Sequence, residues 1–198
     1  MSFGMKIVIL GSGNGSNAHA ILKSFSENLL GQAVVKGIFS DVENSGILKY
    51  AEKYGVLGEY ICAGESAFLK ESYENDWINK IKPLAPDIIV LAGFMRIIKG
   101  KFISEFNNII NLHPSLLPSF PGLNSIQQAY EKKVKITGCT VHWVNEKIDD
   151  GEIIAQAPVR IMEDDSLSLL TKKIHAAEHM ILPSVIRGLS NGEIEFPR

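Results

Sequence analysis

Apolar positions along the first half of the chain fall into short continuous runs separated by longer amphipathic stretches. Lys6 to Leu10 reads as a buried strand, Asn17 to Leu30 as a helix, and Val34 to Ser40 as a second strand rich in β-branched residues. Gly46 to Tyr54 reads as a helix, Glu59 to Cys62 as a weak strand, and Ala67 to Lys82 as a helix ended by Pro83 and Pro86. Asp87 to Gly93 is the strongest strand signal, apolar on both faces. A short helix over Lys101 to Phe106 and a strand over Asn108 to His113 follow. Continuous apolar strands alternating with amphipathic helices predict a parallel sheet covered on both faces.

The second half changes character. His113 to Gly122 holds three prolines and is expected to be irregular, and Asn124 to Lys133 reads as a helix. Lys135 to Val144 and Glu152 to Ile161 alternate apolar and polar residues around a polar turn, which predicts an antiparallel pair. Ser166 to Ser190 reads as one long helix, bent at Pro183. The expectation is one α/β domain over residues 1–198, with a mostly parallel sheet and an antiparallel edge on its C-terminal side. Met5 is an alternative start, which would leave the first four residues as an extension.

The chain's 198 residues suffice for one core without staples. Lys plus Arg number 20 against 22 for Asp plus Glu, a formal charge of −2, and neither half concentrates basic residues. That argues against nucleic acid as a partner. The longest apolar run, Ile88 to Met95, is too short to span a membrane, and Lys6 is followed by too few apolar residues for a secretory signal. Cys62 and Cys139 read as two reduced thiols, which suits a cytoplasmic protein.

Gly11-Ser12-Gly13-Asn14-Gly15-Ser16-Asn17 joins the first strand to the first helix. Glycines allow a tight turn and close approach of a ligand, and free N–H groups at a helix start favour an anion. The loop lacks the Gly-Lys-Ser/Thr of a nucleotide P-loop. Ser16 stands where a dinucleotide fingerprint needs glycine, although Asp41, after the second strand, imitates that fingerprint's ribose-binding acid. Anion binding, a purely structural turn and a dinucleotide site all remain open on these residues.

Asn111 and His113 share one face at a strand's carboxyl end, where open α/β sheets bind ligands. An amide and an imidazolium together suit an oxyanion site, although a lone His after a strand is more often a surface or core residue. Asp149, in the turn from Glu146 to Gly151, is a candidate partner. A carboxylate beside an imidazole favours its charged form and can relay protons through water. The same turn also reads as a plain hairpin connection. Ser115 lacks a nucleophile elbow, so a serine nucleophile is disfavoured. His175-Ala176-Ala177-Glu178-His179 imitates a zinc motif, but spacing offers no third ligand, so no metal is expected.

Two long segments resemble the folate-dependent formyltransferases. Ser115-Leu116-Leu117-Pro118-Ser119-Phe120-Pro121-Gly122 is similar to that family's S-L-L-P-x-[aromatic]-x-G loop. Gly138 to Ile154 is similar to its second signature throughout. Leu91-Ala92-Gly93-Phe94-Met95-Arg96-Ile97 and the glycine loop extend the likeness from about Lys6 to Gly188. The resemblance implies a Rossmann-like formyltransferase fold, with a phosphate-binding N-terminal half and a folate-binding, catalytic C-terminal half. It implies 10-formyltetrahydrofolate as co-substrate, glycinamide ribonucleotide as acceptor, and a monomer or homodimer. Another formyltransferase of the family, or an inactive folate- or nucleotide-binding module, is the alternative. At this length there is room for the catalytic domain alone, without the extra domains of the siblings.

The same resemblance implies residue roles. Asn111, His113 and Asp149 would be catalytic. Gly15, Ser16 and Asn17 would hold the substrate phosphate, with His175 nearby and Glu178 on the ribose, while Pro114 and Met95 would line the meeting point. The folate would lie among Leu91, Arg96, Ile97, Ile98, Phe102 and Ile103 and the turn residues Val144, Asn145, Glu146, Lys147, Ile148 and Asp149. Lys70 stands where relatives often have an Arg facing the folate's glutamate tail, and the two are not equivalent for a carboxylate. Asp150 adds a charge to the turn and is expected to point into water. His142 and His179 are expected to be structural.

Overall fold

The computed structural model describes residues 4–197, so all of the proposed N-terminal extension except Gly4 lies outside the described residues. Seven strands form one sheet: β1 (Lys6–Leu10), β2 (Val34–Ser40), β3 (Gly58–Tyr60), β4 (Ile88–Leu91), β5 (Ile109–His113), β6 (Ile136–Trp143) and β7 (Ile153–Arg160). Their order is β3-β2-β1-β4-β5-β6-β7. The first five pair in parallel, and β6 and β7 continue the sheet antiparallel. Among the described residues six α-helices accompany the sheet: α1 (Ser16–Ser26), α2 (Gly46–Lys53), α3 (Glu71–Ile81), α4 (Gly100–Phe106), α5 (Ser125–Glu131) and α6 (Leu167–Ser190). Among the described residues no helix is long and apolar enough to cross a membrane.

Strand alternation sorts the core into two layers. Ile7 and Ile9 of β1 face one cluster, with α1, α2 and α6 packed on it; Val8 and Leu10 face the other, filled by Trp77 of α3 and Phe102 of α4. On β5, Ile110 and Leu112 join the first cluster and Ile109 the second, so Asn111 and His113 are left on the second face at the strand's carboxyl end. The chain leaves β1 in one direction for β2 and β3 and returns for β4 and β5 on the other side. The crevice where it reverses is where open α/β sheets bind ligands.

Several boundaries differ from the sequence expectation, each for a local reason. The first helix stops at Ser26 because Asn28 turns left-handed (φ 58°). The helix expected from Ala67 begins only at Glu71: Phe68 instead forms a parallel bridge with Ile97, and Lys70 is extended. Pro83 sits in a 3-10 turn, Lys82–Leu84, beyond α3. The weak strand pairs over Gly58–Tyr60 and not to Cys62, and the strand after Pro86 shortens to Ile88–Leu91. The β6 strand does not alternate in burial; it is buried after its first residue because both its faces are covered. Pro183 lies inside α6, which runs through it as one 24-residue helix.

Gly15 caps α1 at φ 78°, and a Cβ there would lie 2.6 Å from the Ile47 backbone. Both conflicts oppose any side chain. Gly15→Ala is expected to destabilise the fold by about 2–4 kcal/mol, read as a lowered denaturant midpoint.

Candidate active site

Strand register builds the site. Asn111 on β5 pairs with His142 on β6, and His113 pairs with Thr140, so these side chains share one face as cross-strand neighbours. The turn after β6 then brings Asp149 back over them. Asp149 takes a left-handed backbone (φ 51°), and Gly151 lets the chain close on Trp143, whose carbonyl oxygen lies where a Cβ would sit. The Thr140 hydroxyl donates to the Ser115 carbonyl at 2.7 Å and accepts from the Leu117 amide at 3.1 Å, which holds the proline-rich loop onto β6.

Asp149 is the hub. One oxygen, Oδ2, accepts from the Gly122 amide at 2.7 Å and lies 3.3 Å from His113 Nδ1. The other, Oδ1, is 3.5 Å from Asn111 Nδ2 and 3.7 Å from His142 Nε2. Burial works to raise the Asp149 carboxyl, but contact with His142, the Gly122 amide and the charges of His113 and His142 outweigh it and hold it below its ordinary value. On the opposite ring edge, His113 Nε2 lies 2.9 Å from the Phe120 carbonyl. Both neighbours of the His113 ring are acceptors, so each ring nitrogen faces an oxygen. His142 Nδ1 donates to the Trp143 carbonyl at 2.9 Å, and Nε2 lies between Asn111 Nδ2 at 3.2 Å and Asp149 Oδ1 at 3.7 Å, accepting from the amide in the neutral ring and donating to the carboxylate in the charged one.

A cavity of about 710 Å³ opens over this cluster. Asn111, His113, Pro114, Leu91, Met95, Arg96, Ile97, Ile98 and every residue from Val144 to Asp149 line it. Its size and mostly apolar walls suit a drug-sized ligand. The expected wall residue Phe102 does not line it: that side chain is fully buried in the core and packs at a tilt against Phe106, so it only supports the wall. Ile103 likewise packs against the core, and Lys70 is exposed at the start of α3, outside the cavity. Asp150 is 55% exposed and pairs with Lys147.

The glycine-loop residues group elsewhere. Asn17 Nδ2 donates to Glu178 Oε2 at 3.0 Å, across 161 residues of sequence, at the start of α1. Burial chiefly pushes the Glu178 carboxyl up, against the Asn17 amide and the neighbouring His175. Neither Gly15, Ser16, Asn17, His175 nor Glu178 lines the cavity. The loop is nevertheless tied to the cavity wall, since Ser12 Oγ accepts the Met95 amide at 2.8 Å and the Ser12 amide donates to the Gly93 carbonyl at 3.0 Å. The zinc-like His175 and His179 rings lie 6.4 Å apart, and among the described residues no three His, Cys, Asp or Glu side chains are grouped to hold a metal ion.

Sequence reasoning missed His142 as a member of the cluster, along with the lining residues Gly122 to Gln127, Leu167 and Thr171. The signal for His142 was its period-two spacing from Thr140, once β6 is placed beside β5. The others come from elements that only packing brings over the cavity.

A family described as formyl transferase matches residues 5–186. The chain is 38% identical to phosphoribosylglycinamide formyltransferase of Escherichia coli (strain K12), over 97% of this chain and 90% of that one. It is 35% identical to the human trifunctional purine biosynthetic protein adenosine-3 over 96% of its length, spanning 19% of that protein. Glycinamide ribonucleotide transformylase 1 from Symbiobacterium toebii superimposes with a TM-score of 0.91 at 35% identity, covering 100% of this chain and 92% of that one.

Two pH effects follow from the buried carboxyls. The Asp149 value is lowered on folding, so its contribution is present at neutral pH and is lost as pH falls below the ordinary carboxylate value. Asp149→Asn is expected to be less stable than the parent at neutral pH, the gap narrowing below about pH 4 in denaturant titrations. Glu178 has the opposite sign: its raised value makes ionisation costly to the fold above the ordinary carboxylate value. Glu178→Gln is expected to raise the melting temperature at neutral pH, with the gain vanishing near about pH 4.

Proposed function

The chain belongs to the formyl transferase family, and we propose that it transfers the formyl group of 10-formyltetrahydrofolate to the amine of glycinamide ribonucleotide. The products are formylglycinamide ribonucleotide and tetrahydrofolate, a step of de novo purine (IMP) biosynthesis. The observation that carries this reading is the Asn111, His113 and Asp149 cluster beside an apolar cavity at the strands' carboxyl ends. That family membership brings a folate-derived formyl donor, and the cavity's apolar walls suit a flat heterocycle. The donor lies against Arg96, Ile97 and Ile98 on one side and the Val144 to Asp149 turn on the other. The Gly15, Ser16 and Asn17 amides hold the acceptor's phosphate, and Glu178 its ribose hydroxyls, with His175 nearby. The N-terminus of α1 carries no acidic residue in its first turn, which suits an anion.

The donor supplies an activated carbonyl carbon. As the acceptor's amine nitrogen bonds to it, charge gathers on the formyl oxygen. His113 Nε2 faces the Phe120 carbonyl and Nδ1 faces Asp149 at 3.3 Å, so the ring reaches the formyl oxygen as Nδ1–H turns from the carboxylate toward it. Asn111 contributes its amide from the same face. Breaking the bond to the donor's nitrogen returns the carbonyl, and the proton lost by the amine replaces the formyl group there. Asp149, kept ionised, carries that proton through a bridging water, so the reaction consumes no net acid or base. All these residues come from one chain, so a monomer or a homodimer supplies a complete site. The unpaired Cys62 and Cys139 suit the cytoplasm, and burial with the nearby Glu178 pushes the Cys139 thiol up to about 12, which makes it unreactive.

The test is turnover with glycinamide ribonucleotide and 10-formyltetrahydrofolate, following loss of the donor. Binding of both compounds without turnover would overturn the assignment in favour of a binding module. His113→Ala and Asp149→Ala are each expected to lower kcat by about 10²–10³-fold while tetrahydrofolate affinity stays within a few-fold. A large affinity loss with kcat intact would contradict the roles given to these two residues.

A further inference from the structure

Arg96 lines the cavity, yet its guanidinium is committed outside it. Its Nε donates to Asp41 Oδ2 at 2.6 Å, and its Nη1 donates to the Ser66 carbonyl. The pair is well buried, with the Asp41 side chain 1% exposed and that of Arg96 19%. The other Asp41 oxygen, Oδ1, is buried without a hydrogen-bond partner, so Arg96 is what compensates this carboxylate. Asp41 follows β2 directly, in the place of a dinucleotide fold's ribose-binding acid. Arg96 fills that place, which removes the dinucleotide reading of the glycine loop.

The wall that Arg96 belongs to needs such an anchor. Residues 95–98 lie beyond the end of β4 and have no place in the sheet ladder. Their backbone is held by the Ser12 hydroxyl at Met95 and by two bonds to a loop. In these the Ile97 amide donates to the Ala67 carbonyl at 2.8 Å, and the Leu69 amide donates to the Ile97 carbonyl at 3.1 Å. That loop is itself outside the sheet, and its backbone meets the wall at the bridge from Phe68 to Ile97. The Arg96 side chain ties the loop, through Ser66, to the end of β2, through Asp41. It is the buried charged contact that references both loose segments to the rigid sheet.

We propose that Asp41 is a positioning residue for the donor-binding wall, acting on the cavity only through Arg96. The proposal rests on reading that cavity as the folate site. An unpaired buried guanidinium would draw Arg96 toward water and carry residues 95–98 with it, while the cluster around Asp149 on β5 and β6 stays in place. Ground-state binding of the donor should therefore suffer, and the chemical step should not.

Asp41→Asn removes the charge and keeps the shape. Its KM for 10-formyltetrahydrofolate and its equilibrium Kd for tetrahydrofolate are expected to rise about tenfold, with kcat within about twofold and the KM for glycinamide ribonucleotide unchanged. In an Arg96→Gln background, the same substitution should add nothing to the donor KM, because the pathway is already cut. Arg96→Lys keeps the charge but cannot reach both Asp41 and Ser66, and should match Asp41→Asn in donor KM. Should Asp41→Asn not fold, Asp41→Glu, which keeps the charge but displaces it, is expected to raise the donor KM at unchanged kcat. A lowered melting temperature with donor Kd unchanged makes the ion pair merely structural and overturns the proposal. Multiplicative effects of Asp41→Asn and Arg96→Gln overturn it as well. Failure of the parent chain to bind tetrahydrofolate overturns the functional reading itself, whereas parent binding that Asp41→Asn leaves intact overturns this proposal alone.

Discussion

A carboxylate that is almost out of water must be satisfied on every side, and around Asp149 that requirement organises the site. Isolated, such a charge would cost several kcal/mol or simply take up a proton. Asp149 avoids both because the chain brings an amide from the proline-rich loop, two imidazoles and a carboxamide to its two oxygens. Each of those groups is in turn fixed by something else: His113 by the Phe120 carbonyl, His142 by the Trp143 carbonyl, and the loop by Thr140. The result is a cluster of polar contacts in which each group's position depends on its neighbours. Such preorganisation is what an oxyanion site requires, since it puts the reorganisation cost into folding instead of the reaction.

The sheet supplies the frame for this set. Parallel strands buried on both faces leave only their carboxyl ends for chemistry, and the reversal of strand order opens a crevice there. The antiparallel addition of β6 is what makes the crevice into a site. It places His142 beside Asn111 in register and returns the chain, through the 144–152 turn, over the same face. A further parallel strand would have sent the chain away through a crossover helix, and no Asp would have come back to the His.

Rigidity is distributed unevenly about the cavity. The floor, on β5 and β6, belongs to the strand ladder. The wall at residues 95–98 and the turn at 144–149 belong to no strand, and each is tied back by a few polar contacts: Arg96 to Asp41 in the first, Glu146 to the Gly100 amide in the second. This division puts Asn111, His113 and His142 on the stiff part of the molecule and leaves Asp149 on the turn, where its contacts to those residues hold it. The near-neutral charge of the chain fits the same picture. An anion at the start of α1 can be met by backbone amides, so no cluster of lysines is needed.

Local periodicity determined a good deal of this protein by itself. The runs of apolar residues located every strand and helix, because burial on one or both faces leaves a mark within a few residues of sequence. Strand spacing pointed to Asn111 and His113, and the second signature carried Asp149 and its turn. Only the tertiary structure decided the rest. The register of β5 against β6 put His142 into the cluster. The packing of α6 on α1 joined Asn17 to Glu178, and the bridge from Phe68 to Ile97 replaced a turn of expected helix. Core packing drew Phe102 beneath the wall it was expected to form, and Arg96 turned to Asp41. Each of these depends on groups that are far apart in the chain meeting across the fold, and a meeting of that kind leaves no period in the sequence of either partner.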